Sequence, residues 1–265
     1  MTTLELEARL DNLLSTVQRE MADVDLFIPI PEREECPICM IPLPIRDKDV
    51  TFMPCCGKDV CCGCTYKNMI AENKANRTPE LEYKCAFCRQ PAPDEPQKIK
   101  AIKRLVKRNH PEAFMQMASE YRSGANVFQS DTKALDMYIR AAELGNAKAL
   151  WIIGTYCYDG IAVERDESKS IQFHAAAAKK GNTLAHRELA YLEETNGNKN
   201  ISIKHLTVAA SAGCQESMDI LMKMYRDELL SKEELTRILR AYQVSNDKMK
   251  SKDRDDAKGF FEGLF

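Results

Sequence analysis

The sequence predicts a mainly α-helical protein in which a small cysteine-rich module is followed by an α-solenoid of helix-pair repeats. Two observations support this prediction. Nine of the eleven cysteines lie in one stretch, from Cys36 to Cys88. From about residue 111 the chain repeats an alanine- and glycine-containing pattern, at intervals of 36 and then 32 residues. Few segments alternate apolar and polar residues as strands do, so most of the chain is expected to be helical.

Residues 1–30 are predicted to form an N-terminal amphipathic helix, long enough for docking or self-association. Its apolar stripe consists of Leu10, Leu13, Leu14, Val17, Met21 and Val24. Because charged residues interrupt the leucines, the segment lacks the apolar core of a secretory signal. No apolar run in the chain reaches the roughly 18–20 residues that a membrane span requires. We therefore expect a cytoplasmic and/or nuclear protein with no membrane partner.

The cysteines form three C-x-x-C pairs and one adjacent pair, which suits either disulfides or metal. The pairs are Cys36/Cys39, Cys55/Cys56, Cys61/Cys64 and Cys85/Cys88. In a reducing compartment clustered cysteines bind metal far more often than they form disulfides or carry redox chemistry, so we favour zinc. Four pairs imply two ions. The segment contains few apolar residues for a core, so the ions are expected to be structural.

This order of pairs resembles a RING finger, the two-zinc module of many ubiquitin ligases, over residues 34–93. In that family the pairs interleave in a cross-brace, so the first and third hold one ion and the second and fourth the other. The resemblance implies one set of Cys36, Cys39, Cys61 and Cys64. It implies a second set of Cys55, Cys56, Cys85 and Cys88.

One position departs from the common RING pattern, because Lys58 stands where that pattern has histidine. An all-cysteine variant, with Cys55 as the extra ligand, accounts for the difference. Two alternatives remain open at this point. Asp59 or Cys62 completes the second set, or the second set holds no ion.

The RING resemblance also implies a surface for a ubiquitin-conjugating enzyme. Ile38, Arg89 and Pro91 occupy the matching positions. A ligase of this kind positions the partner's loaded thioester and forms no covalent intermediate on its own chain, and a guanidinium at Arg89 suits such bridging. The plainer interpretations are local packing for Ile38 and a solvated charge for Arg89. Ala86 replaces the usual proline, and the helix after Cys64 has no tryptophan.

Between the two domains, residues 97–110 are predicted to form a basic connecting helix. Ile99, Ile102 and Val106 fall on one face, with cations opposite. The bland interpretation is a solvated connector; the alternatives are a nuclear-import patch or a phosphate-contacting face. No aromatic residues are interleaved for base stacking, and the formal net charge of the chain is −2. Nucleic acid is therefore not an expected partner.

Residues 111–245 carry the repeats. Alanine doublets at 141–142, 177–178 and 209–210 are each followed by a glycine three residues later. The doublets allow close helix approach, and the glycine ends the second helix of each pair. The pattern resembles Sel-1-like repeats, relatives of the tetratricopeptide repeat, with three units and a degenerate fourth. Such arrays imply a protein target bound along one face. The remaining residues, 246–265, are expected to form a loose, charged tail, in which Phe260, Phe261, Leu264 and Phe265 could anchor a short helix.

Three functions of different classes follow. The first is a zinc-binding RING-type ubiquitin ligase whose repeats recruit the target. The second is a non-catalytic adaptor built on the same two domains. The third is a nucleic-acid-binding zinc protein that uses the basic helix.

Overall fold

A computed structural model describes residues 3–21, 25–45, 47–76 and 84–262. The predicted fold class is confirmed: helices dominate, with one small antiparallel sheet. The elements in chain order are α1 (Thr3–Met21), a 3-10 turn (Asp47–Asp49), β1 (Val50–Met53), β2 (Lys58–Cys61), α2 (Cys62–Asn76), α3 (Glu95–Val106), α4 (Pro111–Ser123), α5 (Asp131–Glu143), α6 (Ala147–Asp159), α7 (Glu167–Lys179), α8 (Thr183–Thr195), α9 (Lys199–Ser211), α10 (Gln215–Arg226), α11 (Lys232–Met249) and α12 (Lys252–Glu262). None of the described helices is both long enough and apolar enough to span a lipid bilayer.

The chain divides into two compact units. The solenoid unit comprises Met1–Pro31 and Phe114–Ser245. The cysteine unit comprises Glu32–Ala113 and Asn246–Phe265. Each unit therefore combines a central stretch of the chain with one terminal segment.

In the solenoid unit, consecutive helices form pairs whose ends follow directly from the sequence. Each of the six helices from α4 to α9 has 13 residues. Asn146 and Asn182 begin the first helix of their pairs by accepting a hydrogen bond from the backbone N–H three residues later. Gly145, with φ of 88°, follows α5 in the left-handed conformation that ends a helix. The alanine doublets are buried, which lets neighbouring helices approach closely.

The N-terminal helix α1 packs against α5 and α7 of the same unit. Leu10, Leu13, Leu14 and Val17 from the predicted stripe are all buried, and Leu6 joins them. Val24 lies outside the described residues. Polar contacts flank this apolar contact: Arg9 pairs with Asp136 and Glu143, and Lys169 pairs with Asp11 at 2.6 Å. The apolar stripe of α1 thus serves as a docking face within its own chain.

The cysteine unit is built around the hairpin of β1 and β2, followed by α2. Val50 pairs with Cys61 and Met53 with Lys58 across the hairpin. The helix α3 starts at Glu95, capped by Asp94, and buries Ile99, Ile102 and Leu105. The sequence suggested Val106 as the third residue of this face, but the third buried residue is Leu105. The buried residues follow an i, i+3, i+6 spacing.

The C-terminal segment differs from the loose tail expected from its charge. Residues Lys252–Glu262 form α12, which packs against α2. Ala257 is fully buried and Arg254 is 3% exposed. The ring centroids of Phe260 and of Tyr66 on α2 lie 5.0 Å apart. Leu264 and Phe265 lie outside the described residues, as does the side chain of Phe261. The charged residues cover one face of a helix whose opposite face is packed, so charge density alone was a poor guide here.

Candidate metal centre

The first C-x-x-C pair lies in a tight turn that aims both sulfurs in one direction. The N–H of Cys36 donates to the carbonyl of Ile41 at 2.9 Å, and the N–H of Met40 donates to that of Cys36 at 2.9 Å. Met40 has φ of 55°, in the left-handed region. The chain therefore reverses immediately after Cys39.

The last C-x-x-C pair repeats this turn. The N–H of Cys85 donates to the carbonyl of Gln90 at 2.8 Å, and that of Arg89 donates to Cys85 at 3.0 Å. Arg89 has φ of 56°. Isolated bridges close the two turns at matching positions, Glu35 with Pro42 and Lys84 with Pro91. The two segments are thus equivalent cysteine knuckles, in which Arg89 corresponds to Met40 and Pro91 to Pro42.

The other two pairs lie at the two ends of β2. Cys55 and Cys56 occupy the turn between β1 and β2, whereas Cys61 ends β2 and Cys64 lies in the first turn of α2. A strand of four residues separates these pairs, so they face different knuckles. The hairpin is therefore the physical cause of an interleaved arrangement.

The structure brings the eight predicted ligands together in two groups, each able to hold a metal ion. One group is Cys36, Cys39, Cys61 and Cys64. The other is Cys55, Cys56, Cys85 and Cys88. Within each group all ligand sulfurs lie within 4.8 Å of one another. We call these the first and the second tetrad.

The spacing of the sulfurs fits a tetrahedral ion. A Zn–S bond of about 2.3 Å gives a tetrahedron edge of roughly 3.8 Å. The sulfurs of Cys39 and Cys61 are 3.8 Å apart, and those of Cys56 and Cys85 are 3.7 Å apart. Each of these distances links two different sequence pairs, as a cross-brace requires. No disulfide joins any of the eleven cysteines, all of which the structure describes, and these two sulfur separations are far longer than an S–S bond.

The residues that were alternative ligands of the second set, and Lys58 at the histidine position, all lie outside both tetrads. Lys58 is exposed at the start of β2, and Asp59 follows it on the same strand. Cys62 is buried but belongs to neither tetrad. Cys55 takes the fourth place of the second tetrad, so the all-cysteine arrangement is geometrically complete.

The knuckle turns and the crowding of sulfurs act on the thiols in opposite directions. Burial raises the pKa of Cys36, but backbone hydrogen bonds from Cys39, Cys61 and Ile38 outweigh it and bring the pKa to about 7. Backbone bonds likewise lower the pKa of Cys85 despite its burial.

The thiols of Cys55 and Cys64 oppose ionisation. Burial is the largest cause that raises the pKa of both thiols. Hydrogen bonds with Cys88 and Cys85 raise the pKa of Cys55 further, and repulsion from Cys61 raises that of Cys64 further. Four thiolates are therefore unfavourable together unless a cation lies between them. The donor set consists only of sulfur, which suits zinc.

The three predicted partner-contact residues lie on or beside the knuckles. The side chain of Ile38 is 42% exposed. The Arg89 guanidinium donates to the Glu72 carboxylate on α2 at 2.6 Å while remaining 59% exposed. Pro91 borders a cleft next to the second tetrad, which α3 lines with Lys100 and Arg104.

Sequence reasoning missed two features of this region. Met40 and Phe87 are exposed apolar residues on the two knuckles, 64% and 38% exposed. Their exposure could be anticipated only from the equivalence of the knuckles. Arg254, on α12, donates to backbone carbonyls of the first knuckle. It was missed because its segment is rich in charged residues. The spacing of Arg254, Ala257 and Phe260 was the available signal.

Comparison with known proteins supports the solenoid. The Sel1 repeat family matches residues 111–146 and 147–182, so the chain contains Sel1 repeats. The structure is similar to a Sel1 repeat protein from Oxalobacter formigenes, with a TM-score of 0.51 and 23% sequence identity. That similarity covers 58% of this chain and 66% of the other, and at this identity it shows the fold alone.

A curated yeast protein also resembles part of the chain. The General negative regulator of transcription subunit 4 of Saccharomyces cerevisiae is 33% identical over 84 residues. The match spans 31% of this chain and 13% of the yeast protein. The chain therefore corresponds to a small part of that relative's length.

Proposed function

We propose that this chain is a zinc-binding RING-type protein that acts as a ubiquitin ligase. The observation that carries the proposal is the pair of interleaved cysteine tetrads, with cross-pair sulfur distances of 3.8 and 3.7 Å. A complete set of four thiolates leaves no open coordination position, so both zinc ions would be structural. Their contribution would be to hold the two knuckles in a fixed relation. The eleven free thiols support a site of action in the cytoplasm or nucleus.

The two knuckles would present the surface for a ubiquitin-conjugating enzyme. Ile38 offers an exposed apolar contact, and Pro91 stiffens the second knuckle at the bridge with Lys84. Arg89 lies in the second knuckle, and its guanidinium has donors for more than one acceptor. Transfer would be accelerated by positioning the thioester near a lysine, a gain that arises from restricting the relative freedom of the reactants.

The solenoid unit would bring the protein target. Sel1 repeats are a protein-interaction scaffold, because stacked helix pairs create an extended surface with a continuous core. The helix α1 already covers part of α5 and α7, so the target would bind other surfaces of the array. The yeast relative is named as a subunit, which supports a role for this chain within a protein assembly.

One observation favours the alternative of a non-catalytic adaptor. The ion pair of Arg89 with Glu72, at 2.6 Å, engages the guanidinium that a ligase would use to bridge its partners. If that pair persists in the complex, the cysteine unit binds a protein without promoting transfer. The two functions therefore differ in whether Arg89 leaves Glu72.

An autoubiquitination assay with a panel of conjugating enzymes separates the two. We expect activity from the zinc-loaded chain, a large loss in Ile38→Ala and in Arg89→Ala, and no loss in Glu72→Gln, which frees the guanidinium. Lys67→Ala, on an exposed site of the same helix, is the matched control. Binding of a conjugating enzyme without transfer by any member of the panel would establish the adaptor instead.

A further inference from the structure

Arg254 is a buried cation that lies against the first tetrad. It belongs to α12 and is 3% exposed. Its Nη1 donates to the carbonyls of Pro42 at 2.9 Å and Met249 at 2.8 Å. Its Nη2 donates to the carbonyl of Ile41 at 3.2 Å and lies 3.9 Å from Sγ of Cys39. The guanidinium therefore joins the first knuckle to the C-terminal helix.

The charge of this guanidinium requires compensation. Removing a cation from water is energetically unfavourable unless the cation is paired as well as hydrogen-bonded. The three carbonyls supply dipoles but no net negative charge. Four thiolates around a divalent ion leave the tetrad net negative, and Cys39 is one of those ligands. The first tetrad, once occupied, supplies a counter-charge in contact with Arg254.

The guanidinium also retains an unused donor. Its Nε is buried and has no hydrogen-bond partner. Sulfur ligands of zinc are commonly surrounded by N–H donors that orient them and tune their charge. A buried arginine with a spare donor next to a metal-binding thiol is therefore better explained by the metal centre than by packing.

A glycine on α2 allows α12 to approach the first tetrad this closely. A Cβ added to Gly63, between Cys62 and Cys64, would lie 2.7 Å from the backbone nitrogen of Arg254 and 2.8 Å from the carbonyl carbon of Asp253. Those atoms belong to the backbone and cannot rotate away. The glycine thus permits α12 to contact the start of α2 where two tetrad ligands, Cys61 and Cys64, flank it.

We infer that Arg254 is a positioning residue of the first metal centre, so that α12 completes the ligand environment of the first tetrad and leaves the second tetrad unaffected. The inference rests on the proposed zinc binding. It assigns to the C-terminal helix a role in metal retention: the guanidinium would lower the negative charge on Cys39 and fix the first knuckle against α2.

The test uses the full-length, zinc-loaded protein and measures each tetrad separately. Increasing concentrations of a chelator are followed by cysteine alkylation and peptide mapping by mass spectrometry. In Arg254→Met we expect the zinc affinity of the first tetrad to fall about 10–100-fold, as for other outer-shell partners of metal ligands. The zinc affinity of the second tetrad should be unchanged. Arg254→Lys keeps the charge with fewer donors, so the affinity of its first tetrad should lie between those of the wild type and of Arg254→Met.

A spectroscopic measurement separates positioning from packing. With Co²⁺ in place of zinc, the sulfur-to-metal charge-transfer band reports electron density on the thiolates. Arg254→Met should shift the part of this band due to the first tetrad, because a donor near Cys39 is removed. Lys67→Met is the matched control, since it removes another contact of α12 with α2, the ion pair with Asp253 at 3.0 Å. It should leave both affinity and spectrum unaltered.

Three results would overturn the inference: equal weakening of both tetrads in Arg254→Met, the same change in Lys67→Met, or wild-type affinity in Arg254→Met. Gly63→Ala should weaken the first tetrad in the same direction, because it displaces the backbone of Arg254. Absence of metal from the wild-type protein would overturn the proposed function itself, a result that these variants cannot mimic.

Discussion

The two units of this chain have cores of different chemistry. The core of the cysteine unit includes a buried cluster in which four of the six residues are cysteines. Its members are Cys36, Met53, Val60, Cys61, Cys64 and Cys85. The cluster at the C-terminal end of the solenoid unit is mostly leucine, methionine, isoleucine and alanine, including Leu206, Leu221 and Ile238. One region buries metal ligands and the other buries hydrocarbon.

The difference teaches where each unit obtains its stability. Burying apolar surface contributes about 25 cal/mol per Å², so a stack of leucine-rich helices supports itself. Crowded thiols contribute little of this kind, and their mutual repulsion opposes ionisation. A bound cation reverses that repulsion, which makes folding and metal binding one process in the cysteine unit. The units should therefore respond separately to the same perturbation.

Metal removal should produce the largest separation. Structural zinc contributes about 10–16 kcal/mol of apparent binding energy in small zinc peptides, more than most domains have in total. We expect a chelator to abolish hydrogen-exchange protection in β1 and β2 while α6 to α9 remain protected. Equal loss of protection in both regions, or no loss in either, would contradict the claim that the two units are stabilised separately.

Two buried cysteines provide a matched control for that experiment. Cys36 belongs to the first tetrad, whereas Cys62, also buried, belongs to neither. Native mass spectrometry should find one zinc ion per chain in Cys36→Ser and two in Cys62→Ser. Retention of two ions by Cys36→Ser would show that the tetrads are wrongly assigned.

Much of this contrast could be predicted from the sequence, because it depends on local spacing. A C-x-x-C pair determines its own turn, and the alanine doublets with their glycines mark the helix ends of each repeat. The grouping of Cys39 with Cys61 is a longer-range property. It came from the RING resemblance, and the structure explains it by the hairpin that separates Cys56 from Cys61.

The contacts of α12 could not be predicted in this way. The segment is rich in charge, and its partner residues on α2 lie almost 190 residues earlier, as the pair Lys67 and Asp253 shows. Local patterns carry no information about which distant surface buries a given cation. The same limit applies to α1, whose docking face was recognised although its acceptor, α5 with α7, was not.

Within the solenoid unit, a cavity should produce the next largest effect. Phe173 on α7 is fully buried. Phe173→Ala should lower the free energy of unfolding by about 3–5 kcal/mol, from lost burial and an unfilled cavity. Phe128, which is 95% exposed, is the control, and Phe128→Ala should change stability by less than about 0.5 kcal/mol.

Urea unfolding followed by the fluorescence of Trp151, the single tryptophan, reports on the solenoid unit. The metal content of Phe173→Ala should remain at the wild-type value, because the core of the solenoid unit contains no tetrad ligand. Loss of zinc from this variant would break the proposed independence of the two cores.

Acid should weaken the solenoid unit through its buried histidines. Burial lowers the pKa of His174 to about 4, from 6.5 for an unperturbed imidazole. Above pH 6.5 the ring is neutral in both states, and between 6.5 and 4 the unfolded chain alone binds the proton. Stability is therefore lost as the pH falls, by about 2 kcal/mol at pH 5 for this group.

The variant His174→Phe isolates this contribution, since it retains a planar ring that cannot titrate. The difference in unfolding free energy between pH 7 and pH 5, followed by Trp151 fluorescence, should shrink by about 2 kcal/mol. His186 and His205, whose pKa values burial also lowers to about 4, should account for part of the remainder. An unchanged pH dependence would show that His174 is protonated in the folded protein.

The smallest effect concerns helix caps, and it tests whether the repeats share one local design. The Asn146 side chain accepts a hydrogen bond from the N–H of Ala149 at 2.9 Å, whereas Asn198 begins α9 without such a bond. Asn146→Ala should cost about 1 kcal/mol and Asn198→Ala under about 0.5 kcal/mol, both measured by urea unfolding. Since neither asparagine lies in the cysteine unit, zinc stoichiometry should stay at the wild-type value in both variants. Equal costs at the two sites would mean that the cap bond contributes little, and that stacking of neighbouring pairs alone determines where each helix begins.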